Sequence, residues 1–388
     1  MTTLLAAYPG VFYPGTTYPG YMGTITTLFP ILTPALPPPL TSHRVTRFQY
    51  ELLDSNGHLI GPLDGVQPGG SLAWSANQAV KGGGNLTVND SGQTIDWLSQ
   101  RIRITAVVTD ATGDTTIPLG VWIPSTPTDQ WTDTGRTWPV ALLDVTSLLD
   151  MRTITSNYTM PVGEVVTDWI WNLLADTGLP YALTHSTLTT PVVRTWPAGT
   201  TYLQVVNDLL ASINWLSLYA DGLGVLHADP YTPPSQRGVA WSFEDGQSCI
   251  YSPSWQRTQD WSSVPNQVVL TTQGGATTAG LVSTFTAPTT APWSSQSTGR
   301  VRTYAGQVNA ADQATLDALA ARMYAQLAAP QATVAIRHAL VPLAVNQVTL
   351  FRSMRAGIPI PRRHVVSSTK VTLTPTALTE TTMTEVVT

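Results

Sequence analysis

Charge is the scarcest property of this 388-residue chain: Asp, Glu, Lys and Arg make up 11% of it, under half the share usual in soluble domains. So few charges leave little to solvate a free surface. That favours a surface covered by other subunits, with a Thr-rich secreted protein as the competing reading. The one cysteine, Cys249, excludes an intrachain disulfide and so a disulfide-stapled secreted domain. No apolar run approaches the ~20 residues of a bilayer-crossing helix. The start, MTTLLAAYPG, lacks the positive region and long apolar stretch of a secretory signal. The expectation is a chain made soluble in a cytoplasm, without membrane insertion.

Candidates for chemistry are equally sparse. Glutamate occurs only at Glu51, Glu164, Glu244, Glu380 and Glu385, so a glycosidase-type acid pair would draw on aspartates, most of which sit in turn sequences. No two of His43, His58, His185, His227, His338 and His364 fall within five residues of each other, and none pairs with Cys249 at a metal spacing, which leaves zinc unsupported. The segments 110–114 and 129–135 faintly resemble calcium loops but lack alternating ligands and a terminal acid. Lys81-Gly-Gly-Gly lacks the Gly-Lys-Ser/Thr order of a phosphate loop. No catalytic, cofactor or metal residue is expected, and the chain reads as a non-enzyme.

The net charge of −5 and pI near 5.6 give no general attraction to nucleic acid or anionic membrane. The distribution is uneven, however. Residues 318–379 hold no acid, while Arg322, Arg337, Arg352, Arg355, Arg362, Arg363 and Lys370 all fall there. Two accounts stand: solvated strand edges protected by basic side chains, or a basic face that docks an acidic neighbour. For the second, Arg352, Arg355, Arg362 and Arg363 are the candidate interface residues, since arginine forks suit bidentate carboxylate pairing.

Residues 1–40 carry repeated prolines, no charge and Tyr-Pro-Gly three times at a five-residue period. Proline disfavours helix and central strand, so an extended arm is expected, either a floppy leader or one that lays Tyr8, Tyr13 and Tyr18 on a partner. From His43 the pattern is β: strands near 48–53, 59–63, 71–80, 86–88, 102–108, 115–122 and 138–143, with turns at 54–57, 81–84 and 133–135, predict a small barrel or sandwich. Near Met160 the period changes. Val165, Val166, Trp169, Ile170, Leu173 and Leu174 form a helical stripe ending near Gly178.

The clearest unit is TTYLQVVNDLLASINWLSLYADGLGVLHADP, residues 200–230. Leu203, Val206, Leu209, Leu210 and Ile213 recur at helical spacing after a Thr200 or Thr201 cap. The period then changes, and Asp221-Gly222 signals a hairpin. Strands resume from about 238, with a flexible loop over 287–299. A helix at 309–328 follows, capped by Asn309 and Asp312 and burying Leu316, Leu319, Met323 and Leu327. Strands near 333–336, 345–351, 365–366 and 371–373 finish the chain.

Three stretches carry a family resemblance: IPLGVWIPSTPTDQWTDTGRTWPVALLDVTSLLD; the Trp196-Pro-Ala-Gly-Thr entry with the Asn-Asp-Leu-Leu helix and LYADGLGVLHADP; and PNQVVLTT with NAADQATLDALAARMYAQL. Their order over residues 41–385 resembles the tail-tip or baseplate hub proteins, the tail-tube-like minor tail proteins of long-tailed bacteriophages. The arm is not part of that pattern. The resemblance implies a mainly β fold with an α+β insertion: two tail-tube-like β-barrel domains plus a small helix–hairpin module. The domains would be 41–150, able to recruit strands from 238–265; the module 151–235; and 236–388 with its helix 309–328.

It further implies a structural homotrimer in the virion tail tip, a ring around the DNA channel serving genome ejection and host entry. Its partners would be the tail tube or distal tail protein, tip and receptor-binding proteins, and the tape measure protein. Thirteen tryptophans keep a carbohydrate-binding tail or cell-surface module as the alternative, because exposed indoles stack on sugar rings. A tail-associated wall hydrolase is a weaker third, lacking an acid pair.

Overall fold

The structure, a computed structural model, describes residues 44–386 apart from 112, 134, 190–192, 214, 247–248, 260–263, 273–279, 292, 309–312 and 328–331. The arm with Tyr8, Tyr13 and Tyr18, and the Asn309–Asp312 cap, lie outside the described residues. The fold is mainly β with few helices. The chain forms two compact units, Met1–Trp255 with Ile336–Met383, and Gln256–Ala335 with Thr384–Thr388.

The first unit is organised by one large sheet. From Ile358–Thr372 it runs through Ser71–Ser75, Gly82–Asn89, Gly135–Asp144, Gly113–Pro124, Arg101–Asp110 and Val45–Leu53 to Leu59–Pro62. Pairing along that path is antiparallel. Alternation sets the strand faces: Ile102, Ile104, Ala106 and Val108 are all 2% exposed or less. They pack with Leu72, Leu86, Trp122, Val140, Leu142 and Leu373, each large side chain contributing about 1.5–3 kcal/mol through burial. On the other face Arg103 pairs with its cross-strand neighbour Glu51 at 2.7 Å.

Three features of this sheet differ from the sequence expectation. The glycines after Lys81 belong to the Gly82–Asn89 strand rather than to a turn. A Cβ at Gly82 would meet Asp144 Oδ2 at 2.9 Å, and one at Gly84 would meet the Ser71 carbonyl oxygen at 2.5 Å. Close backbone approach, not chain reversal, explains these residues. The expected short strands at 365–366 and 371–373 merge, as far as Thr372, into one strand, Ile358–Thr372. A last strand, Thr379–Glu385, was not expected at all, because its inward face is Thr379, Thr381 and Met383.

Three helices complete the first unit: α1 (Ser147–Met151), α2 (Val166–Ala175) and α3 (Tyr202–Ser212). The Thr201 hydroxyl caps α3 by accepting from Gln204 N–H at 3.2 Å. Gly178, at φ 68°, follows α2. After α3 the Tyr219–Ala220 and Leu226–Ala228 strands pair antiparallel, and Tyr181–Leu183 joins in parallel. Asp221 Oδ1 accepts from Leu223 and Val225 N–H at 2.8 and 2.9 Å, closing the hairpin as an Asx turn. Helix and hairpin share one core with Leu53 and Val121 of the sheet and with Val145, just past the Gly135–Asp144 strand.

In the second unit, Gln267–Thr271 pairs with Val282–Thr286 antiparallel and Thr303–Gln307 in parallel. A short α4 (Ser295–Thr298) and a long α5 (Gln313–Leu327) accompany them. Leu316, Ala320 and Tyr324 of α5 pack on Val268 and Leu270. The stretch expected as a flexible loop is instead pinned. Asn266, 3% exposed, donates to the carbonyls of Trp293 and Arg300 and accepts from Arg302 N–H. The Trp293 indole N–H reaches Tyr324 Oη at 2.9 Å. Here the polar backbone of an irregular segment is satisfied by one buried amide together with the hydroxyls of Ser294, Ser297 and Thr298, a signal that composition does not carry.

Candidate assembly surface

The four candidate arginines lie along one hairpin. Val348–Ser353 pairs antiparallel with Ile358–Thr372, placing Leu350 opposite Arg363 and Phe351 opposite Arg362. A 3-10 turn over Met354–Ala356 joins them, ended by Gly357 in the left-handed region at φ 70°, which glycine adopts without a Cβ penalty. The Met354 N–H donates to Asp245 Oδ2 at 2.6 Å and fixes the start of the turn.

The arginines divide into two kinds. Arg352 Nη2 lies 2.6 Å from Glu244 Oε2, and Arg352 lends its carbonyl to the Tyr251 hydroxyl at 3.0 Å. Arg363 donates to the carbonyls of Pro234 and Arg237, tying the loop before Val239–Phe243 to the hairpin. Arg355 and Arg362 are exposed, beside Met354 at 59% and Ile360 at 73% exposure. Elsewhere in the basic stretch Arg337 pairs with Glu380 at 3.0 Å. The acid-free stretch is thus partly neutralised in space by Glu244 and Glu380.

A second exposed feature ends the large sheet. Among the described residues Leu59–Pro62 pairs only with Val45–Leu53 and is the terminal strand of the order. Its sequence is Leu-Ile-Gly-Pro, with Leu59 57% and Ile60 53% exposed. It carries none of the charges that usually protect an edge. Its turn is firm. The Asp54 carboxylate accepts from the backbone N–H groups of Asn56 and His58 at 2.8 Å, and these bonds, the His58 one foremost, hold its pKa below the ordinary carboxylate value.

Of the tryptophans, Trp122, Trp138, Trp196 and Trp241 are buried, Trp171 is 39% exposed and Trp131 is 73% exposed. Trp131 stands on the short Gln130–Thr132 strand, directly opposite Arg136. The Arg136 guanidinium lies 5.1 Å from the Trp131 ring and 4.8 Å from the Trp138 ring, so it is stacked between them. Asp129 Oδ1 accepts from Arg136 Nε and Nη2 at 3.1 and 2.7 Å and from the Trp138 indole at 2.5 Å. These bonds, Arg136 first, lower the Asp129 pKa. Trp97 meets Trp138 edge-on at 5.9 Å. Beside them opens a cavity of ≈ 370 Å³. The sequence places Trp122, Trp131 and Trp138 on neighbouring segments, but does not show that Arg136, Asp129 and Trp97 join them.

Among the described residues no group of three or more His, Cys, Asp or Glu side chains is placed to hold a metal. His227 and Asp221, 3.0 Å apart and largely buried, belong to the hairpin. No helix among the described residues is long and apolar enough to cross a membrane.

No family model matches the chain, and no curated protein matches it. Solved structures do. A tail protein from Neisseria meningitidis superposes with TM-score 0.60 at 12% identity, covering 87% of this chain and 96% of that one. The 43 kDa tail protein of prophage MuSo2 from Shewanella oneidensis gives 0.59 at 11% identity, covering 88% and 98%. The prophage tail protein gp18 from Listeria monocytogenes gives 0.53 at 12% identity, covering 87% and 94%. At these identities the likeness defines the fold: this chain has the fold of phage tail proteins.

Proposed function

We propose that this chain is a structural, non-enzymatic hub subunit of a phage-type tail tip. Three copies would form a ring that joins the tail tube or distal tail protein to tip and receptor-binding proteins. The ring would adjoin the tape measure protein and let DNA pass. The observation that carries this reading is the fold likeness over 87–88% of the chain and 94–98% of three tail proteins. In this reading residues 41–150 and 236–388 each contribute a tube-like β domain around the 151–235 module. The 1–40 arm lies on a neighbour through Tyr8, Tyr13 and Tyr18.

The uncharged Leu59–Pro62 edge supports the ring, since an open apolar edge invites pairing with another chain and a closed cyclic assembly removes it. Exposed Met354, Arg355, Ile360 and Arg362 have the composition of an interface, where Met and Arg are enriched. Arg352 and Arg363 act from behind, by holding that hairpin. Electron microscopy of the purified chain, alone and in the assembled particle, tests the reading. A threefold ring at the tail tip is expected, and an isolated subunit absent from the tip would refute it.

A further inference from the structure

We propose that the cavity beside the Gln130–Thr132 strand is a binding site for neutral saccharides. Its size, ≈ 370 Å³, is at the lower end of small-molecule sites. Its walls combine the two elements such a ligand needs. Trp97, half-buried and held edge-on against the buried Trp138 at 61°, lines the cavity and offers an aromatic ring against which the C–H face of a pyranose packs. Asp90, Asp129 and Arg136 also line the cavity and supply the planar acceptors and donors that hydroxyl pairs use.

Charge decides the class. Two carboxylates face one guanidinium, and that guanidinium is already paired with Asp129, so a phosphate or an acidic sugar meets a net negative wall. Asp129 spends one oxygen, Oδ1, on Arg136 and Trp138, while its side chain is 55% exposed and keeps acceptor capacity for a ligand. Trp131 is outside the cavity's lining and adjoins it across Arg136, which stacks on both Trp131 and Trp138. Arg136 covers one of its faces, and the remaining exposed surface is held in place by that stack, so little side-chain entropy is lost on binding. The arrangement is independent of the ring proposed above.

The test is a glycan array probed with the full chain, carrying neutral glucose, galactose and N-acetylglucosamine oligomers beside sialylated and phosphorylated ones. Titration in solution with the array's best neutral oligomer follows. Binding to a neutral oligomer is expected, at least tenfold weaker in Trp131→Ala and Asp129→Asn and unchanged in Trp171→Ala. Thermal melting checks that each variant folds. Trp131→Phe, which retains an aromatic face, should bind between wild type and Trp131→Ala, and wild-type indole resonances of Trp97 and Trp131 should shift on titration. No binding of neutral oligomers at millimolar concentration would overturn the proposal. Binding confined to the anionic ones, or a neutral ligand held equally well by Trp131→Ala and Asp129→Asn, would overturn it too.

Discussion

His338 Nε2 lies 2.8 Å from the Thr381 hydroxyl, while its Nδ1 lies 2.8 Å from the Ala339 carbonyl oxygen. A carbonyl oxygen only accepts, so Nδ1 carries the proton and Nε2 accepts from Thr381. The ring is neutral and fully used. Burial pushes its pKa down from 6.5 to about 4, with Arg44 adding a smaller push in the same direction. The unfolded chain therefore binds a proton that the folded one refuses. Stability should be full above pH 6.5 and fall as pH drops toward 4, by about 3 kcal/mol at one pKa unit per ~1.4 kcal/mol. Urea midpoints at pH 7.5 and pH 5 measure the loss. The same comparison in His338→Gln should show a shallower dependence, and an undiminished one would remove His338 as its source.

The glycine strand gives a sharp steric contrast. A Cβ at Gly84 would sit 2.5 Å from a backbone oxygen, whereas one at Gly83 meets nothing nearer than 3.8 Å. Gly84→Ala should cost about 1–3 kcal/mol by forcing the strands apart, and Gly83→Ala should be nearly neutral. Equal melting temperatures for the two variants would contradict the close pairing of Ser71–Ser75 with Gly82–Asn89.

In the second unit, Asn266→Ala removes the one side chain that satisfies Trp293, Arg300 and Arg302 together. The Arg300 carbonyl keeps its bond from the Thr298 hydroxyl, but leaving the Trp293 carbonyl and Arg302 N–H without this partner costs about 1–3 kcal/mol. Limited proteolysis should gain a cut within 287–302 in the variant. An unchanged digestion pattern would mean that the segment is held by other contacts.

For assembly, the arginines predict different phenotypes. Arg355→Glu should block ring formation while the chain melts normally. Arg363→Glu should lower the melting temperature itself, because Arg363 holds the carbonyls of Pro234 and Arg237. Exposed single pairs contribute only about 0–1 kcal/mol, so a normal ring in Arg355→Glu would reduce that hairpin to a solvated edge.

Local chemistry was legible wherever one segment encoded it. The Thr201 cap, the α2 and α3 stripes and the Asp221 turn depend on neighbours within a few residues. Pairings that join distant segments were not legible. Nothing in Ile358–Thr372 announces Ser71–Ser75 as its neighbour, and Thr379–Glu385 hides its inward face behind threonines. The basic stretch reads as unbalanced because its acids, Glu244 and Glu380, are remote in sequence or lie just beyond it. The tryptophans were visible as a puzzle, but the stack of Trp131, Arg136 and Trp138 required the register of a hairpin.

In the proposed ring the Leu59–Pro62 edge closes on the next protomer. An electron-microscopy map of the purified protein at assembly concentration tests it most directly. The account predicts a threefold ring in which Leu59–Pro62 hydrogen-bonds to a strand of the next protomer. A monomer at every concentration, with Leu59 and Ile60 in solvent, would contradict it.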